Sequence, residues 1–110
     1  MTKPRTALIR ALNDRLRMQH VGGRLLLTPG VTALGADTVL AALLDIQAFD
    51  SFSEENDPYD EHDFGSVDVR GSKFFWKIDY YDLALNQAAK DPADSNDCAR
   101  VLTIMLAEEY

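Results

Sequence analysis

The sequence predicts an α+β fold in which a small, mainly antiparallel sheet packs against about three helices. Segments with helical and strand periodicity follow one another in the order α-β-α-β-β-α. The two adjacent strands are joined by a short glycine-containing connection, which is typical of an antiparallel hairpin. The length of 110 residues, with 46% hydrophobic residues, suits one core. Residues 1–110 are therefore expected to form a single domain.

The first predicted helix spans Thr2 to Met18, and Pro4 suits its first turn. Its apolar residues recur at three- and four-residue spacing, namely Leu8, Ile9, Ala11, Leu12 and Leu16. The residues expected on the opposite, solvated face are Arg10, Asn13, Asp14 and Arg17. The pair Gly22 and Gly23 predicts the end of this helix.

A strand and a second helix are predicted next. Arg24 to Thr28 is a short apolar run bounded by glycines and Pro29, which is typical of a buried strand. Asp37 can cap a helix that runs to about Ala48. The residues of this helix expected to face inward are Val39, Leu40, Leu43, Leu44 and Ile46.

The strongest β pattern is the hairpin of Phe64–Val69 and Lys73–Tyr81. Alternation places two sets of side chains on opposite faces of the second strand. The set expected in the core is Phe74, Trp76, Ile78 and Tyr80. The set expected on the other face is Phe75, Lys77, Asp79 and Tyr81.

The last predicted element is a helix from about Asp97 to Glu108, capped by Ser95 or Asn96. Its apolar face would consist of Cys98, Val101, Leu102, Met105 and Leu106. Cys98 is the single cysteine, so an intramolecular disulfide is excluded and a reducing compartment is expected. The sequence also lacks an apolar run of the roughly 20 residues that span a bilayer and a signal-peptide segment, which favours a cytoplasmic location without membrane binding.

Charge is distributed unevenly. The net charge of −7 argues against direct nucleic-acid binding, yet residues 1–30 carry six bases and one acid. Seven acids and no base follow between residues 50 and 63, namely Asp50, Glu54, Glu55, Asp57, Asp60, Glu61 and Asp63. Mutual repulsion predicts a solvated loop unless a cation or a basic partner relieves it. An outward ridge of these acids, with Phe75 and Tyr81 as anchors, would be a docking surface for a protein with a basic surface.

The same segment offers a metal-binding alternative. Carboxylates and an imidazole bind divalent cations, and the candidate ligands are Asp57, Asp60, His62 and Asp63. Their spacing matches neither an EF-hand loop nor a zincin motif. His62 could also be a general base oriented by Asp63 or Glu61, or it could close the loop by a hydrogen bond. We expect no cofactor, and a metal-dependent hydrolase is the alternative.

Several segments together resemble a family of short proteobacterial proteins catalogued as domain of unknown function three-seven-six-eight. The main segments are His62–Gly65, Phe74–Asp82, Asp91–Asp94 and Arg100–Tyr110. Further likeness lies in Ile9–Leu16, Gly22–Arg24 and Asn56–Pro58. The resemblance implies no established activity. It implies cargo of plasmids and other mobile elements, often beside anti-restriction genes.

These observations favour a non-enzymatic interaction protein, an anti-CRISPR or anti-restriction inhibitor that imitates DNA. Its partner would be a host defence nuclease or surveillance complex with a cationic groove, because carboxylates can occupy a groove built for phosphates. The identity of that partner and the oligomeric state do not follow from the sequence. A homodimer is a further alternative, with the basic first helix of one copy against the acidic segment of another.

Overall fold

The computed structural model describes residues 3–110 and confirms the α+β fold. Four strands form one sheet in the order β1-β4-β3-β2, and the helices pack on one of its faces. The helices are α1 (Pro4–Gln19), α2 (Pro29–Thr32) and α3 (Ala36–Gln47). The strands are β1 (Arg24–Leu27), β2 (Phe64–Val69), β3 (Ser72–Tyr81) and β4 (Ala99–Leu106), followed by a 3₁₀ turn at Ala107–Glu109. Within residues 3–110 no helix has the length and apolar character to cross a bilayer.

Helix α1 confirms the first predicted helix, although the predicted start at Thr2 lies outside the described residues. Ile9 and Leu16 are buried as expected. The prediction was wrong for Asn13 and Arg17, which are fully or almost fully buried rather than solvated. Leu8, expected in the core, is exposed. Periodicity assigns polar residues to solvent by default, whereas here two of them find hydrogen-bond partners inside the protein.

Helix α3 begins one residue before the predicted cap, since Gly35 is its N-cap and Asp37 lies in the first turn. Ala42 and Ile46 are buried on the sheet, whereas Leu40 and Leu44, expected to face inward, are exposed. The short helix α2 precedes it. The hydroxyl of Thr28 accepts a hydrogen bond from the backbone N–H of Val31 and caps α2.

The hairpin of β2 and β3 is confirmed, with Phe64 opposite Lys77 and Val69 opposite Ser72. Its turn uses Arg70 and Gly71, both with positive φ, which matches a two-residue hairpin turn. Phe74, Trp76 and Ile78 are buried against the helices, as alternation predicted.

The predicted last helix between Asp97 and Glu108 was wrong, because this segment forms strand β4. Strand β4 lies between β1, to which it is parallel, and β3, to which it is antiparallel. A central strand is buried on both faces, so its apolar residues are consecutive rather than alternating. The buried apolar residues of β4 are Val101, Leu102, Ile104 and Met105. Such a run cannot be distinguished from a buried helix by period alone.

Candidate functional site

The acidic segment, residues 50–63, folds back onto the protein. Phe52 packs edge-on against Phe49 and Trp76, with ring centroids 4.9 and 6.1 Å apart. One aromatic side chain therefore anchors the segment in the core, on the helix-covered face of the sheet.

Asp57 is the buried centre of this segment, with its side chain 2% exposed. Its Oδ1 accepts hydrogen bonds from the backbone N–H groups of Glu61 and His62, both at 3.0 Å. A carboxylate that accepts two N–H groups is satisfied without a partner molecule. Asp57 thus shapes the loop rather than presenting charge to solvent.

Asp60 and Glu61 also have partners within the chain. Arg10 of α1 donates to Asp60 Oδ2 at 2.7 Å. The hydroxyl of Tyr80 donates to Glu61 Oε1 at 2.8 Å, and Asn13 Nδ2 donates to that hydroxyl oxygen at 2.7 Å. One ion pair between the basic helix α1 and the acidic segment, Arg10 with Asp60, is therefore formed within the chain.

The ring of His62 lies beside two carboxylates and hydrogen-bonds to one of them, Asp14. Its Nδ1 lies 2.8 Å from Asp14 Oδ1, and its Nε2 lies 3.7 Å from Asp57 Oδ2. Its ring stacks on Phe52 at 3.7 Å with an interplanar angle of 3°. The alternative in which Asp63 or Glu61 orients the ring is not the arrangement found, because the carboxylates beside the ring are Asp14 of α1 and Asp57, five residues earlier in the loop.

Asp63 is half-buried at the end of the acidic segment. Burial first, and then the nearby negative charges of Glu61 and Asp57, raise its pKa to about 6. Its backbone oxygen accepts a hydrogen bond from the N–H of Ile78 at 2.8 Å, which begins the hairpin ladder. This carboxyl group therefore binds its proton more tightly than an ordinary aspartic acid does.

Arg17 of α1 is a basic residue that contacts the acidic segment, and it is 3% exposed. Its Nη1 donates to the backbone oxygens of Ile46 and Phe49 at 3.1 and 2.9 Å. Its Nη2 donates to Asp14 Oδ1 at 3.1 Å. The guanidinium also lies 5.4 Å from the ring centres of both Phe52 and Trp76. It thus ties α1 to the C-terminal end of α3 and to the acidic segment.

A second buried cation lies near the same network. Arg100 Nε donates to Asn13 Oδ1 at 2.9 Å, and Arg100 Nη2 donates to the backbone oxygen of Pro92. The guanidinium lies 5.2 Å from the centre of the Tyr80 ring, and burial raises the pKa of the Tyr80 hydroxyl. The polar interior beneath the acidic segment is therefore connected by hydrogen bonds from α1 to β4.

Three of the four predicted metal ligands converge. One ligand atom from each of Asp57, Asp60 and His62 lies within 4.8 Å of the others. Within residues 3–110 Asp63 is not part of this group. All three ligands also have the intramolecular contacts described above, so a cation would compete with Arg10 and with backbone N–H groups.

The remaining acids of the segment, Asp50, Glu54 and Glu55, are exposed. The seven acids thus do not form the single outward ridge that was expected. Asp50 lines an open cleft of about 450 Å³ between the end of α3 and β2, which we call the edge cleft. The residues that line the edge cleft are Asp45, Ala48, Phe49, Asp50, Ser51, Asn56, Ser66, Val67 and Asp68.

Asp45 and Asp68 are exposed acids that the sequence analysis did not select. They lie 5 residues before and after the acidic segment, in α3 and β2, and only the packing of these elements brings them to one cleft. On the other side of the segment, Glu54, Asp57 and Asp60 line a second cleft of about 380 Å³. Acidic groups therefore line both clefts, and in the edge cleft two of them come from outside the acidic segment.

The proposed anchors Phe75 and Tyr81 lie on the sheet face opposite the helices, since they alternate with Trp76 and Tyr80. Phe75 packs against Phe64 and Tyr110, with ring centroids 5.4 Å away in both cases. Tyr81 lines a separate groove on that face. Phe52, which anchors the acidic segment, packs on the other face, so these aromatic residues do not extend the acidic surface.

Comparison with family models matches residues 27–109 to the family described as Protein of unknown function (DUF3768). The match includes the acidic segment, the hairpin and β4. Comparison with curated proteins gives no match, and comparison with solved structures gives none.

Proposed function

The chain belongs to the family Protein of unknown function (DUF3768), and from that premise we propose that it is a non-enzymatic interaction protein whose acidic surface binds a basic partner. The partner we propose is a host defence protein, a nuclease or surveillance complex with a nucleic-acid groove. The protein would act there as an anti-restriction or anti-CRISPR inhibitor that imitates DNA.

The observation that carries this proposal is the edge cleft. Asp45, Asp50 and Asp68 line it, and no Lys or Arg is among its lining residues within the described chain. Lys73 approaches Asp68 from the neighbouring strand at 3.9 Å, but both side chains are exposed, and exposed pairs contribute little. The cleft therefore presents negative potential to an approaching cation.

The internal network supports the proposal because it holds the surface in place. Arg17 and Asn13 fix the acidic segment to α1, so Asp50 is carried by an anchored loop rather than by a free chain. Preordered carboxylates lose less conformational entropy on binding than flexible ones. Complementary potential then speeds association with a cationic groove.

The test is inhibition of DNA cleavage by purified host restriction and CRISPR nucleases. We expect inhibition that weakens as salt rises, because salt screens exposed charges. The triple variant D45N/D50N/D68N should weaken inhibition about tenfold, at a few tenths of a kcal/mol to 1 kcal/mol per exposed charge. The matched control D37N/D97N/E108Q removes the same charge from exposed acids outside the cleft. Equal inhibition by the two variants would refute the assignment to this cleft.

The convergence of Asp57, Asp60 and His62 favours a second candidate function, a divalent-metal-dependent hydrolase. Calorimetry with Mg²⁺, Mn²⁺, Ca²⁺ and Zn²⁺ distinguishes the two. If this candidate is right, one ion binds with measurable heat and D60N abolishes that heat, while the control D68N retains it. No heat with any ion would refute the metal-dependent hydrolase.

A further inference from the structure

Strand β2 forms one edge of the sheet, because among residues 3–110 it pairs only with β3. The bond from Ile78 N–H to the Asp63 oxygen sets the direction of the ladder. In an antiparallel pair, alternate residues direct their backbone groups to the partner strand. The inward groups are therefore those of Gly65 and Val67, and the groups of Ser66 and Asp68 point away from the sheet.

This unpaired edge borders the edge cleft, since Ser66, Val67 and Asp68 line it. Cross-strand partners share a face of the sheet. Val67 pairs with Phe74, so its side chain lies on the helix face. Asp68 pairs with Lys73, so it lies on the opposite face.

Carboxylates consequently flank the edge on both sides. Asp45 lies in α3 and Asp50 follows it, and both belong to the helix side of the sheet. Asp68 projects on the other side and is exposed. In an extended chain placed along β2, successive side chains would point alternately to the two sides of the sheet. Side chains on either side would therefore lie close to carboxylates of this protein.

We infer that the basic partner contributes an extended segment bearing Lys or Arg, which adds to β2 as a further strand of the sheet. The inference rests on the proposed function, since it assumes a basic partner. Backbone hydrogen bonds to Ser66 and Asp68 would hold the segment, and the three carboxylates would select its basic side chains. Exposed edges accept such strands unless the protein covers or blunts them.

The carboxylates beside the edge of β2 also disfavour pairing with an acidic strand. A second copy that paired antiparallel through its own β2, in the register centred on Asp68, would place the two Asp68 side chains opposite each other. Like charges across a strand pair are destabilising. Repulsion between carboxylates therefore disfavours that pairing of two β2 strands, whereas a basic strand is attracted. The edge thus discriminates between the two kinds of strand by charge.

The test uses a fluorescein-labelled peptide of alternating lysine and threonine, blocked at both ends, and fluorescence anisotropy with the full chain. A second peptide carries N-methyl groups on every backbone nitrogen and so keeps its charge but loses the backbone donors on both of its edges. On the protein, Ser66→Pro removes one outward N–H, and Ser66→Thr is the matched control. Proline is tolerated on an edge where its nitrogen faces outward.

We expect saturable binding of the first peptide and protection of the Ser66 and Asp68 amides from hydrogen exchange. The N-methylated peptide and the S66P variant should each bind about tenfold more weakly, because each removes backbone hydrogen bonds. S66T should bind as the wild type does. If S66P does not fold, the difference in affinity between the two peptides still tests strand addition.

Two results would overturn strand addition. One is equal binding of both peptides, and the other is the absence of saturable binding of the first. If D45N/D50N/D68N still weakens nuclease inhibition more than its control variant in either case, the proposed function stands and only the mode of binding is wrong. Conversely, suppose that the Ser66 and Asp68 amides are protected and the first peptide binds more tightly than the second, while no defence nuclease is inhibited. That combination would refute the proposed function and support strand addition.

Discussion

Replacement of Arg17 by methionine tests whether the buried guanidinium holds the acidic segment and α3 in place. Methionine keeps the length and much of the volume of the side chain. It removes the hydrogen bonds to the Ile46 and Phe49 oxygens and the pairing with Asp14. Since Arg17 is 3% exposed, solvent cannot replace these bonds without local opening.

The expected loss follows from the contacts. Each hydrogen bond from a charged donor contributes about 1.5–3 kcal/mol, and methionine recovers part of this by apolar burial. We therefore expect R17M to lower the free energy of unfolding by about 3 kcal/mol, within the range for a broken buried charge interaction. For a domain of this size the loss corresponds to a melting temperature lower by about 12 °C.

The assay is urea unfolding followed by the fluorescence of Trp76, the single tryptophan, whose ring lies 5.4 Å from the guanidinium. Circular dichroism of the same samples checks that unfolding is two-state. Arg15→Met is the matched control, because Arg15 is an exposed arginine of the same helix. The control should change stability by less than about 0.5 kcal/mol. A difference below about 1 kcal/mol between the two variants would refute the role assigned to Arg17.

Two further predictions concern Asp63 and Gly65. The folded protein binds the Asp63 proton more tightly than the unfolded chain, so this group stabilises the protein below its ordinary pKa of 3.8, and that stability is lost as pH rises to about 6. D63N should therefore be more stable than wild type at pH 7 by about 1 kcal/mol, discounted for partial exposure, and the gain should disappear at pH 4 in paired urea titrations. G65A places a Cβ 2.7 Å from three atoms of the Trp76 indole and should cost about 1–3 kcal/mol in urea unfolding, whereas S66A should not. If G65A leaves the free energy of unfolding unchanged, the Trp76 indole moves to make room for the added Cβ.

Local sequence patterns were sufficient to predict the helices and strands that have one polar and one apolar face. Helix α1 carries an apolar stripe, and β3 alternates strictly, so Phe74, Trp76 and Ile78 were assigned to the core from sequence. The hairpin also followed from its glycine-containing turn. These signals depend on residues close in sequence, which is why they could be interpreted without the fold.

Strand β4 could not be recognised in this way. Its environment is set by β1 on one side and β3 on the other, and both faces are buried. Neither neighbour is encoded in the local sequence of Ala99–Leu106. A continuous apolar run lacks the period that separates strand from helix.

The candidate site shows the same division. The charge run at residues 50–63 identified the acidic segment, but it could not indicate that Arg10 would pair with Asp60 or that Asp57 would be buried. The Arg10–Asp60 pair joins residues 50 positions apart and arises from the docking of α1. The same docking produced the burial of Asn13 and Arg17, which the helical pattern had placed in solvent.

The sequence by itself determined that this is an acidic α+β protein of its family, with a hairpin and a concentrated run of carboxylates, because composition and short-range periodicity are properties of neighbouring residues. Only the tertiary structure decided which carboxylates are neutralised and which, with Asp45 and Asp68, surround the open edge of β2. The physical reason is that burial and ion pairing depend on distances between elements, and packing of the whole chain sets those distances.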